Sequence, residues 1–382
     1  GCSGKCVKIM KNMYDKIKCC VKISNTSTTE FFQSKIGVQQ GAITSPLLFA
    51  LYLNDLNEKL KDEDGVYVNG KSIKILMYAD DIVIVSNSVR GLQNHLDNLY
   101  DYCNMWKLNV NLNKTKVLIC RVGGRISQQE YWFWGDSLME ICTKYKYLGV
   151  YFTAGGITNF SLQCLVDQAN LAILSLKYRM KKIGKLPIHL SLKLFHSCIF
   201  PILLYGSQVW GYKKCKLLES VCLRYFKQIL GINMSACNCG VYAELGEIPI
   251  SVYAQYNIVK YWMKVKFSEE TRLDSIMLRY LTENVEVQRV EFCNFASEVR
   301  RILNNIGLAY IFDIDDVQNM NVLLSIIWQR MLDIAKSNIL AEVADFPKLH
   351  LYSEYKTTFK YSSYLHIVKK LAGNLQVMPA LT

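Results

Sequence analysis

Two adjacent carboxylates, Asp80 and Asp81, stand between runs of alternating apolar residues, Ile73, Ile75 and Met77 before them and Ile82-Val83-Ile84-Val85 after. Neighbouring like charges repel, so the pair suits a cation better than a packed interior. Carboxylate oxygens are hard ligands. Mg²⁺ binds one or two of them together with waters and substrate phosphates. Two such ions can activate a 3′-hydroxyl and stabilise a departing pyrophosphate in an in-line displacement. Gln40-Gly41 fits the same chemistry, because a glycine lets backbone approach a nucleotide and the neighbouring amide can bond sugar or template. Lys114 could protonate or neutralise the pyrophosphate. Each element alone also has a plain reading: a solvated acidic turn, a loop before a helix, a surface lysine. Their order is what joins them, with Gly41 lying 39 residues before Asp80 and Lys114 34 residues after it.

The elements that would hold these groups follow from periodicity. Val7, Met10, Tyr14 and Ile17 keep helical spacing, and Val21–Ile23 and Phe31–Phe32 read as strands. Ser45 is placed to cap a helix with Pro46 at its first position, and Leu47, Leu48, Leu51 and Leu60 carry that helix to about Lys61. Asn69-Gly70 supplies the positive φ angles of a two-residue turn between Val66–Val68 and Ser72–Met77. Tyr78-Ala79-Asp80-Asp81 then becomes the tip of a second hairpin. Leu92, Leu96, Leu99, Cys103 and Trp106 mark one face of a helix. Short strands are expected at Val117–Cys120, Trp132–Trp134 and Tyr147–Phe152. From Phe160 the pattern turns helical: Leu162–Met180, Leu190–Trp210 with a break at Pro201, Leu217–Leu230, and most of residues 235–382.

With 382 residues, 51% of them hydrophobic and 20% charged, the chain is neither disordered nor a coiled coil and calls for two or three domains. No apolar run reaches the roughly 18–20 residues of a bilayer span, and the run at Leu194–Leu204 reads as core. The net charge of +13 favours an acidic partner, nucleic acid first. The charge is concentrated: between Lys177 and Lys227 eleven Lys or Arg face one acid, Glu219. The fourteen cysteines lack the paired spacing of a zinc site, and Cys237-x-Cys239 has no second pair, so reduced thiols in an intracellular protein are expected.

Taken together, Gly37-Val38-Gln39-Gln40-Gly41 with Ser45-Pro46-Leu47-Leu48-Phe49, Tyr78-Ala79-Asp80-Asp81, Lys114-Thr115-Lys116 and Tyr147-Leu148-Gly149 resemble the reverse transcriptase of a non-LTR (LINE-type) retrotransposon. Leu204-Tyr205-Gly206-Ser207 with Trp210, and Glu244-Leu245-Gly246 with Pro249, resemble the region downstream of the polymerase in such elements. The resemblance implies an α+β fold. A partial polymerase palm with antiparallel hairpins and flanking helices would fill residues 1–156. A basic helical thumb (157–232) and a helical C-terminal domain (233–382) would follow. It implies RNA-directed DNA polymerase activity on an RNA template, a DNA primer and deoxynucleoside triphosphates, with Mg²⁺ or Mn²⁺, element RNA as a partner and no membrane. Asp80 and Asp81 would be metal ligands and Lys114 would assist pyrophosphate departure. Tyr78 and Ala79 would line the path of primer end and nucleotide, and Gln40 and Gly41 would position template and nucleotide. Tyr147, Leu148 and Gly149 would grip the primer, and Lys181, Lys182 and Lys185 would face a duplex backbone. The lifestyle of such elements implies the nucleus and cytoplasm.

Departures from the pattern carry expectations of their own. The family's third catalytic Asp lies on an upstream strand in an apolar-Phe-Asp context. Residues 1–36 hold no such strand, and Asp15 falls in a helical pattern. Fingers and an endonuclease are not recognisable either, and Gln39 stands where relatives often carry Pro or Arg. The chain, which starts at Gly1, is therefore expected to be the portion from mid-palm onward, impaired in catalysis by itself. A non-catalytic nucleic-acid-binding remnant is the alternative.

Overall fold

The computed structural model describes residues 4–25, 27–33, 37–120, 130–156, 159–181, 184, 186–212, 215–287 and 294–366. They fall into two units: residues 1–67, 71–111 and 129–139, and residues 68–70, 112–128 and 140–382. The chain is a mixed α and β protein with small, mostly antiparallel two-stranded sheets.

The first unit is built around the helix Val89–Trp106. Ser88 is extended and its side chain accepts from the Gly91 N–H at 3.0 Å, satisfying an otherwise orphaned donor. Lys107 ends the helix in the left-handed region. Between those caps Leu96, Leu99, Tyr102 and Cys103 are buried at helical spacing. Leu99, Tyr102 and Cys103 pack with Leu53 and Leu56 from one side of the sequence and Ile75, Ile82 and Ile84 from the other. That cluster is the unit's interior.

Two expected elements are broken by contacts within this unit. The helix foreseen from Ser45 to Lys61 stops at Tyr52 and restarts at Leu56–Lys59. At the break the Tyr102 hydroxyl bonds the Asp55 carboxylate at 2.7 Å and the Tyr52 carbonyl at 3.2 Å. The strand foreseen from Ser72 to Met77 is interrupted at Lys74, whose ammonium is buried and bonds the Leu60 carbonyl and Asp62, both at 2.7 Å. Ser45 is the first helical residue rather than the cap, which is Thr44. At the N-terminus the helix Gly4–Asp15 forms as expected, but the strands shift, with Lys18–Cys19 pairing to Phe32–Gln33.

The second unit carries the hairpin Lys144–Tyr147/Val150–Thr153 and after it, among the described residues, helices as its regular elements. Asn159–Met180, Lys216–Leu230 and Asn238–Leu245 share one buried cluster that extends to Leu365. A second cluster runs from Ile258 to Met331, where the Trp262 and Phe312 rings stack at 5.3 Å. The run foreseen as Leu190–Trp210 is a helix to Leu194, a π turn over Phe195–Ile199, a short helix to Leu203 and a last turn at Ser207–Trp210. Its main break falls at Gly206, with φ of 71°, rather than at Pro201. Phe195, Ile199 and Leu203 are fully buried, so the most apolar stretch is core. Among the described residues no helix is long and apolar enough to cross a membrane.

Candidate active site

The hairpin Ile75–Tyr78/Asp81–Ile84 has the register Ile75 with Ile84, Leu76 with Val83, Met77 with Ile82 and Tyr78 with Asp81. Alternation along each strand puts Ile75, Ile82 and Ile84 on the face that joins the buried cluster. Tyr78 and Asp81, the closing pair, lie on the other face. Ala79 and Asp80 alone form the turn. Ala79 takes φ of 53°, which a side chain disfavours by about 1–2 kcal/mol. A two-residue turn whose first position has positive φ matches the twist of the strands, so the short link keeps the hairpin regular up to its tip. Asp80 and Asp81 are both exposed, and Tyr78 is 64% exposed beside them. The apolar register thus anchors the base of the hairpin and leaves the carboxylates outside.

The Gln40-Gly41 loop is organised by the helix after it. The Ser45 hydroxyl donates to the Gln39 carbonyl at 2.5 Å, and the Ala42 N–H bonds the same oxygen at 3.3 Å. Gly41, with φ of 81°, occupies a conformation that only glycine takes without strain. Gln40 and Gly41 are exposed. Helix Ser45–Tyr52 enters the cluster under the acidic hairpin through Phe49, so one interior supports both motifs.

Lys114 and Tyr147-Leu148-Gly149 belong to the second unit, where they are neighbours. The Tyr145 hydroxyl donates to the Lys114 carbonyl at 3.1 Å, while the Lys114 side chain is exposed. Leu148 and Gly149 make a two-residue turn with φ of 46° and 82°. A role for Tyr205 was not foreseen. Its hydroxyl donates to the Leu148 carbonyl at 2.7 Å, and a side chain at Gly149 would meet its ring at 2.8 Å. The Trp210 indole in turn donates to the Tyr205 carbonyl at 2.9 Å. Leu204-Tyr205-Gly206-Ser207 therefore braces the hairpin tip, a relation that no spacing in the sequence announces. Lys144 also lies over the Phe160 ring at 3.7 Å, holding the strands against the following helix.

Lys181 continues from the helix Asn159–Met180 and is exposed; Lys182 and Lys185 lie outside the described residues. Glu219, the lone acid of the basic segment, does not dilute its surface. Burial raises its pKa to about 7, and it accepts from the Ile250 N–H at 3.1 Å, capping helix Ile250–Lys266.

The donor set at the tip is chemically suited to a hard divalent cation: two oxygen ligands, exposed, with room for waters and phosphates. Among the described residues no group of three or more His, Cys, Asp or Glu side chains is placed to share one ion.

Residues 2–152 match the family model for reverse transcriptase (RNA-dependent DNA polymerase), a stretch that holds Gln40-Gly41, Tyr78–Asp81, Lys114 and Tyr147–Gly149. The probable RNA-directed DNA polymerase from transposon BS of Drosophila melanogaster is 23% identical over 231 residues, covering 56% of this chain and 25% of that protein. Over residues 2–152 the chain is thus similar to reverse transcriptases, by a match that covers less than half of it. The retrovirus-related Pol polyprotein from type-2 retrotransposable element R2DM, also of Drosophila melanogaster, is 28% identical over 159 residues, covering 39% of this chain and 15% of that protein. The RNA-directed DNA polymerase from mobile element jockey of the same species is 25% identical over 202 residues, covering 49% and 21%. The chain thus spans a quarter or less of the length of these three relatives.

Proposed function

We propose that this chain supplies the palm and thumb portion of an RNA-directed DNA polymerase and takes part in template-directed nucleotidyl transfer. The carrying observation is the acidic turn: Asp80 and Asp81 stand exposed on a regular hairpin whose base is locked into a buried cluster. Asp80 and Asp81 would hold Mg²⁺ or Mn²⁺, which when bound supplies positive charge to a primer 3′-hydroxyl and to the triphosphate. Tyr78 and Ala79 border the reacting ends. Gln40 and Gly41 offer a side-chain amide and an open backbone to template and nucleotide. Lys114 balances the leaving pyrophosphate, and the braced turn Leu148-Gly149 bears on the primer. Residues 157–232, with their basic excess including Lys181, Lys182 and Lys185, contact the phosphates of an RNA–DNA duplex. The helices described between residues 238 and 355 would make up a C-terminal part with no assigned role in the transfer.

Two carboxylates where the chemistry uses three leave the isolated chain a weak polymerase. Primer extension on an RNA template with Mg²⁺ should be barely above background, and Asp80→Asn should remove what remains. Robust synthesis unaffected by Asp80→Asn would end the assignment of this site, whereas robust synthesis lost in that variant would show that two carboxylates suffice. A non-catalytic nucleic-acid-binding role is favoured by one observation, the absence of a three-ligand acidic group among the described residues. It predicts duplex binding that weakens steeply with salt and is indifferent to Asp80→Asn and Asp81→Asn. No binding at low salt would remove both readings.

A further inference from the structure

Cys237-x-Cys239 has no part in the polymerase chemistry, yet the fold brings the two thiols together. Their Sγ atoms are 3.1 Å apart, inside ordinary sulfur–sulfur contact. Cys237 precedes the helix Asn238–Leu245 at its cap position, and Cys239 sits in its first turn. Cys237 is half-buried and Cys239 is buried. Both line an open cleft of about 690 Å³, with Lys227, Met234, Glu342 and Phe346 among its other walls. A small oxidant therefore has access to the pair.

The surroundings give the two sulfurs different tasks. Lys227 is buried, and its ammonium bonds the Met234 carbonyl at 2.9 Å and the Asn238 side chain at 2.8 Å, fixing the turn that carries Cys237. That ammonium interacts with the Cys237 sulfur, and the helix N-terminus adds partial positive charge beside it. Cys237 is the more accessible of the two sulfurs, so an oxidant in the cleft meets it first. Burial, with Cys237 beside it, pushes the Cys239 thiol up to about 12, so it keeps its proton until its neighbour reacts.

We propose that Cys237 and Cys239 are a redox modification site that closes to an intrachain disulfide when a peroxide reaches the cleft. The Cys237 sulfur attacks one peroxide oxygen, breaking the O–O bond, and becomes a sulfenic acid as hydroxide leaves and takes up the thiol's proton to give water. The Cys239 sulfur then attacks the Cys237 sulfur. Its proton goes to the departing hydroxyl, which leaves as a second water. Two thiols lose two protons and two electrons, and one peroxide becomes two waters. Closing needs the sulfurs to approach by about 1 Å, to the usual bond length near 2.05 Å. Glu244 anchors the far end of the helix through Tyr352, so the movement falls to its Cys237 end.

The test is direct because the tryptic peptide 228–260 contains these two cysteines and no other. The full chain is treated with graded hydrogen peroxide, remaining thiols are alkylated, and the digest is weighed. The expected result is peptide 228–260 unalkylated and two hydrogens lighter at doses that leave the exposed Cys198 alkylated. Cys239→Ser should halt Cys237 at the sulfenic acid, captured by a dimedone-type reagent, with circular dichroism confirming an unchanged helical fold. Full alkylation of both thiols at doses that already oxidise Cys198 would overturn the proposal. So would Cys237 advancing to sulfinic acid while Cys239 is still alkylated.

Discussion

The acids of the two units are used in opposite ways. Asp80 and Asp81 of the first unit lie open to solvent on a turn, whereas Glu244 of the second is fully buried and Glu219 largely so. Glu244 accepts from the Tyr352 hydroxyl at 2.7 Å, and its carbonyl accepts from the Ser362 N–H at 3.1 Å. Glu219 closes the N-terminus of a helix. Each of these buried carboxylates leans on donors of the chain itself through one oxygen, Glu244 Oε2 on Tyr352 and Glu219 Oε2 on Ile250. An exposed pair keeps its lone pairs for an ion arriving from outside. Burial, rather than residue type, therefore separates the acids bonded within the fold from those left open to solvent. It also predicts that Asp80 can be neutralised with little loss of stability, whereas Glu244 cannot be truncated without a large one.

The largest effect should come from Glu244→Ala. It leaves the Tyr352 hydroxyl without its acceptor in a region where burial and the neighbouring carboxylate already push the Tyr352 and Tyr364 hydroxyls up. A loss of about 3 kcal/mol is expected in denaturant unfolding of the second unit, against less than about 0.5 kcal/mol for Asp80→Asn. Comparable losses for both variants would break the contrast.

Next comes a pH response of opposite sign in the two units. Glu219 has its pKa raised from 4.5 to about 7, so the folded state favours its neutral form. Stability from this group is full below pH 4.5 and is lost as pH rises through about 7, a change of about 3 kcal/mol. Glu219→Gln should flatten that decline, making the variant the more stable protein at pH 8. In the first unit His95 is fully buried, and burial lowers its pKa below the usual 6.5. Its contribution is full above the unfolded value and is lost as pH falls through the lowered one. Hydrogen exchange read separately in Leu96–Cys103 and Leu218–Leu230 should show the first segment loosening in acid and the second in mild base. His95→Leu should remove the acid response of the first segment without touching the second. Parallel pH responses in the two segments would contradict this account.

The smallest effect belongs to the turn that lifts the acids. Ala79→Gly removes the strain of a positive φ and should add about 1 kcal/mol to the first unit, read as a small rise in Tm. A fall instead would mean that the Ala79 methyl packs at the tip and that the hairpin relies on it.

Local chemistry made much of this legible. Asn69 and Gly70 take the positive φ angles their identities suggest, and the spacing of Leu96, Leu99 and Cys103 delivers the helix they mark. Tyr78-Ala79-Asp80-Asp81 forms the expected hairpin tip because alternation on both sides admits one register that buries the isoleucines. What escaped were effects of residues far apart in sequence. Tyr102 divides the Ser45–Lys61 helix from 47 residues away, and Tyr205 reaches back 57 residues to the Leu148 turn.

The order of the motifs, the turn types and the apolar periods were thus determined by the chain itself, since they depend on neighbours within a few residues. Which acids face water, which thiols meet and which tyrosine braces which turn were decided only by tertiary packing. Burial and contact depend on chain segments that sequence order keeps apart, and a carboxylate or thiol takes its reactivity from what surrounds it.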